Sequence, residues 1–71
     1  MTNAPTTTEG RLAEIETLLD FLGDREAELR YRLRTDVLSA QQRRELDESR
    51  DAAAVKIFRL TVEADALRAG A

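Results

Sequence analysis

Apolar side chains recur along this chain at helical spacing, and in the second half they form two stripes where a hairpin needs one. From Ser39 to Ala69 the segment reads as one long helix. Leu46, Ala53, Ile57, Leu60, Ala64 and Leu67 follow one another in steps of seven, four, three, four and three, which is a heptad seam. Val55, Phe58 and Val62 form another stripe. At ~100° per residue it lies roughly 160° from the centre of the seam. One stripe can pack on the neighbouring helix. The other must be covered by something else or stay in water, at roughly 1.5–3 kcal/mol per large apolar side chain.

The first half carries a matching seam. Leu12, Ile15, Leu19, Leu22, Leu29 and Leu33 step by three, four, three, seven and four, with Glu26 in the skipped slot. Residues 1–8 are small and polar and contain Pro5, which predicts a disordered N-terminal arm. Thr7 or Thr8 can cap the first helix, and Glu9 suits the positive end of its dipole. The pattern weakens at Thr35-Asp36-Val37-Leu38, and Ser39-Ala40-Gln41-Gln42 then matches a capping box. Gly70 stands where a glycine ends a helix. The expected domain is a helical hairpin over 9–70, with a first helix at 9–35, a turn at 36–39 and a second helix at 40–69. Gly23 interrupts the first helix at about 1 kcal/mol relative to alanine. It is either a tolerated defect or a point of close approach or a bend.

A turn this short makes the helices antiparallel. Seam residues then meet when their numbers sum to about 75 or 76, which pairs Leu12 with Ala64, Ile15 with Leu60, Leu19 with Ile57, Leu22 with Ala53, and Leu29 with Leu46. In this register Glu26 faces Arg50, so a register-setting Glu26–Arg50 ion pair is expected. Towards the turn Leu33 faces Arg43, and the seam becomes polar. The fold class is all-α: an antiparallel two-helix hairpin, coiled-coil-like, with dimerisation into a four-helix bundle as the expected assembly. Phe21 lies about 130° from the centre of the first seam, with Leu18 flanking the same side, near the level of Val55 and Phe58. Leu18, Phe21, Val55, Phe58 and Val62 are therefore the candidate partner interface, shared with a second copy or with another helical protein.

Composition removes most chemistry. The 71 residues include no cysteine and no histidine, so there is no disulfide, no thiolate and no imidazole base or ligand. Di-iron bundle sites usually need a Glu-x-x-His pair, and Glu14, Glu16, Glu26 and Glu28 read instead as exposed or register-setting residues. Calcium loops, phosphate-binding glycine loops and nucleophile elbows are absent from the sequence. The expectation is a non-enzyme without catalytic, cofactor or metal residues. Arg11-Leu12 through Arg34 is similar to the long first helix of the small helical chorismate mutases. That family's site needs several cations on three helices, however, and this chain has one lysine, Lys56, and two helices. In size and layout the hairpin resembles the small co-chaperones of type III secretion needle subunits and the small subunit of exonuclease VII. The resemblance is one of architecture and implies a helix-packing role; no diagnostic motif of either is present.

Charge divides the hairpin into two ends. The net charge is −3, from 11 basic and 14 acidic residues. The tip, residues 24–51, interleaves Arg25, Arg30, Arg32, Arg34, Arg43, Arg44 and Arg50 with Asp24, Glu26, Glu28, Asp36, Glu45, Asp47, Glu48 and Asp51. That mixture reads as a solvated surface of local ion pairs, and Tyr31 alone offers little stacking, so nucleic acid is not an expected partner. The base is aliphatic and carries both phenylalanines. No apolar run reaches the roughly 20 residues of a membrane span, and Met1 to Gly10 lacks the features of a secretory signal. The expected setting is cytoplasmic. The expected function is a protein–protein interaction module: an adaptor, small chaperone or accessory subunit. The alternative is a coiled-coil probe whose arginine-rich tip acts on a nucleoprotein machine such as a polymerase.

Overall fold

The computed structural model describes residues 7–70, which form two helices, α1 (Thr8–Thr35) and α2 (Ala40–Gly70), packed along their length. There is no strand among the described residues. Both starts follow from local hydrogen bonding. The Thr7 hydroxyl accepts from the Gly10 amide at 2.9 Å. At α2 the Ser39 amide donates to Gln42 Oε1 at 2.9 Å and the Gln42 amide donates to Ser39 Oγ at 3.1 Å, the reciprocal pairing that the Ser-x-x-Gln spacing predicts. α1 thus begins at Thr8 and α2 ends at Gly70, each one residue beyond the expected bounds. Gly70 belongs to the last turn and no described glycine has a positive φ, so the expected left-handed stop is not used. The expected arm over 1–8 lies mostly outside the described residues; of it, Thr7 is the cap and Thr8 is helical.

The chain leaves α1 with the Asp36 amide donating to the Arg32 carbonyl at 2.9 Å, while Arg32 Nε reaches Asp36 Oδ2 at 3.3 Å. Arg43 donates from α2 to the Leu33 carbonyl at 3.2 Å, so a guanidinium satisfies a backbone acceptor at the end of α1. This places Leu33 opposite Arg43, as the seam register requires.

Every seam position from Leu12 to Leu33 on α1 and from Leu46 to Leu67 on α2 is buried or half-buried. Ile15 is fully enclosed, and Leu22, Leu29, Ala53 and Ala64 are buried. Leu12, Leu19, Glu26 and Leu33 alternate with them on α1, and Leu46, Arg50, Ile57, Leu60 and Leu67 on α2. Two helices cannot enclose more than a seam. The molecule is 15 Å through its thinnest direction, little more than one helix diameter of ~10–12 Å. Gly23 is half-buried, and a Cβ built on it would meet nothing within 4 Å. It is a tolerated defect; no chain segment approaches it closely.

The expected Glu26–Arg50 ion pair does not form. Glu26 Oε1 accepts from Arg30 Nη2 at 2.9 Å, one turn along the same helix. Arg50 turns to its own neighbours, Asp51 at 3.5 Å and Asp47 at 3.8 Å. Both groups occupy half-buried seam slots, and each can reach solvent and a local counter-ion by swinging outward along its own helix. Meeting across the seam would desolvate both charges. The ion pair that joins the helices is elsewhere: Arg11 grips Glu63 with two hydrogen bonds, Nε–Oε2 at 2.6 Å and Nη2–Oε1 at 2.9 Å. The residue numbers of these partners, like those of Leu33 and Arg43 at the other end, place the helices in the predicted register to within one residue.

Candidate interaction surface

The seam uses one side of each helix and leaves large apolar side chains in water. Leu18 is 41% exposed, Phe21 63%, Val55 49%, Phe58 69% and Val62 51%. All five belong to the base, as expected. The fold does not gather them into one patch. Leu18 and Phe21 stand on the rim of a groove between the helices, with Leu22 and Leu60 in its wall and Lys56 and Arg59 opposite on α2. Val55, Phe58 and Val62 belong to a different face. The helical repeat turns them almost directly away from the α2 seam, and therefore away from α1. Lys56 and Arg59 lie between the groove and this outer stripe on the surface of α2.

The groove extends towards the tip past Leu22, Arg25, Ala52 and Ala53. Alanines on the α2 side keep that wall low, which lets another backbone approach. Towards the open end Arg11 and Glu63 bridge the helices beside Glu14 and Leu67. The hydrogen bond from Arg11 lowers the Glu63 pKa from its ordinary 4.5, and the nearby positive charge adds to that effect against a partial desolvation. The same bond raises the pKa of Arg11. Both side chains remain about one-third or more exposed, so this pair is a clamp of modest strength.

Four of the seven tip arginines bond within the chain. Arg30 bonds Glu26, Arg32 bonds Asp36, Arg50 sits between Asp47 and Asp51, and Arg43 bonds a backbone carbonyl. Tyr31 is exposed. Glu14, Glu16 and Glu28 are exposed, and among the described residues no cluster of three or more acidic side chains is disposed to hold a metal ion. No described helix is long and apolar enough to cross a membrane.

The Arg11–Glu63 clamp escapes the seam pairing because both residues flank the seam and occupy none of its positions. Their numbers come within one of the seam sum, so the flanking residues carried the signal. The cations of the groove escape it as well. Lys56 has no carboxylate three or four residues away in either direction, which is legible from the sequence alone.

Comparison with protein-family models, with curated proteins and with solved structures finds no match for this chain.

Proposed function

We propose that this chain is a non-enzymatic protein–protein interaction module, an adaptor, small chaperone or accessory subunit that works by burying helix faces in self-association or against a partner protein. One observation carries the reading. The seam is complete, yet five large apolar residues at one end remain between 41% and 69% exposed. Isolated surface apolars are ordinary, but two adjoining faces of them on so small a molecule mark contact surfaces. The lack of cysteine suits a reducing compartment, and we place the protein in the cytoplasm. The tip reading draws less support, since four of the seven tip arginines already bond within the chain.

For a homodimer, the outer stripe of α2 is the better surface. An antiparallel two-fold centred on Phe58 sets Val55 against Val62 of the second copy and completes a four-helix arrangement. It also sets Asp51 against Asp65, so added salt tightens such a dimer by screening that repulsion. The test is sedimentation over a wide concentration range on the wild type and on Phe58→Asp. A wild-type dimer that becomes a folded monomer in the variant supports self-association through the stripe. A wild-type monomer that loses its host partners on Phe58→Asp supports a hetero-complex. A monomer whose partners are unaffected by Phe58→Asp or by Phe21→Asp refutes the module reading.

A further inference from the structure

We infer that the groove at the base receives an amphipathic helix from another protein, one that presents carboxylates to Lys56 and Arg59. The inference rests on the interaction-module reading and specifies the partner's chemistry. The chain as a whole is acidic, with a net charge of −3, but the groove is not. Its two adjoining stretches share Leu22 and Lys56, and Arg25, Lys56 and Arg59 line them without any carboxylate. None of these three cations is in an ion pair among the described residues, whereas Arg11, Arg30, Arg32, Arg50 and Arg68 are. For Lys56 and Arg59 the reason is positional. Lys56 has only Ala52, Ala53, Arg59 and Leu60 at helical neighbour spacing, and Arg59 has Glu63, which Arg11 already holds in two hydrogen bonds. Cations left without counter-ions, beside an apolar strip of Leu18, Phe21, Leu22 and Leu60, complement a helix with leucine-type anchors and an acidic flank.

From Leu18 to Arg25 the strip runs about 10 Å, two turns of an incoming helix. A second copy fits poorly. In a two-fold contact the same patch faces itself, so Lys56 would point into the middle of the resulting bundle and the cationic rims would meet. An acidic helix from a different chain meets no such repulsion.

The test uses two synthetic amphipathic peptides with the same leucine stripe, one flanked by glutamates and the other by lysines. Binding to the full chain is followed by amide chemical shifts. The glutamate peptide should move Leu18, Phe21 and Leu60, and the lysine peptide should bind about tenfold more weakly. The double variant Lys56→Glu, Arg59→Glu should invert that preference. The neutral pair Lys56→Gln, Arg59→Gln should abolish it, with helicity checked by circular dichroism for each variant. Equal binding of both peptides, or shifts confined to Val55, Phe58 and Val62, overturns the inference. So does a wild-type dimer that Phe21→Asp dissolves, because the groove would then hold a second copy. If Phe58→Asp abolishes assembly while neither peptide touches the groove, the module reading stands and this inference fails.

Discussion

Replacing Gly23 by alanine should stabilise the hairpin, against the usual direction of a mutation inside a packed element. The residue sits in the middle of α1, half-buried, with ordinary helical backbone. Glycine in a helix interior costs about 0.8–1 kcal/mol relative to alanine, because the unfolded chain gives up more freedom there. The usual offset is a clash of the new methyl group. Here there is none, since a Cβ at Gly23 meets no atom within 4 Å. The whole propensity difference of about 1 kcal/mol should therefore appear as stability, about fivefold in the ratio of folded to unfolded chains. For a domain of this size that raises the thermal midpoint by about 4–8 °C. Far-UV circular dichroism melts and urea titrations at one fixed protein concentration would read it, because any self-association makes the midpoint depend on concentration. A lowered midpoint would refute the reasoning. Lowered stability together with a lower sedimentation mass would show that the open side of Gly23 is where another chain packs.

Two further outcomes follow from the seam and the clamp. Ile15 is fully enclosed, so Ile15→Ala should cost about 2–5 kcal/mol, and in a chain this small that should leave little cooperative melting transition; a loss below about 1 kcal/mol would mean the seam is loose there. Glu63 is held below its ordinary 4.5 by Arg11, so the unfolded state binds the proton more readily. Its contribution is therefore present above pH 4.5 and lost as pH falls through the lowered folded value. The stability difference between wild type and Glu63→Gln should shrink on acidification across that window, and thermal midpoints that stay a constant distance apart would refute the clamp.

The hairpin was legible because each helix repeats its apolar positions at the heptad spacing and because Ser39 and Gln42 mark the restart of the chain. The same spacing told which residues are buried, down to the polar slots at Glu26 and Arg50. It did not tell where those two side chains would go. A long charged side chain chooses between a partner across the seam and one along its own helix, and desolvation decides that choice locally. The division of the exposed apolars was hidden for a different reason. A helical wheel fixes the angle of Phe21 from the α1 seam and of Phe58 from the α2 seam. Only the antiparallel packing shows that Phe21 stands on the rim of the groove across from Lys56 while Phe58 turns to the back of α2. Of the groove's cations, Lys56 was readable in principle, as a basic residue with no acid a helical turn away.

A hairpin joined by one short turn is a zipper with unequal ends. Near the turn, partners such as Leu33 and Arg43 are ten residues apart, while Arg11 and Glu63 at the far end are separated by 52. Closing the ends of a longer loop costs more entropy, so contacts form outward from the turn and the open end is the first to fray. The exposed apolar faces lie towards that last-closed end, with the Arg11–Glu63 clamp beyond them. Whatever docks there gains by holding the two strands of the zipper together, and the free chain feels that gain as the folding of its own least stable half.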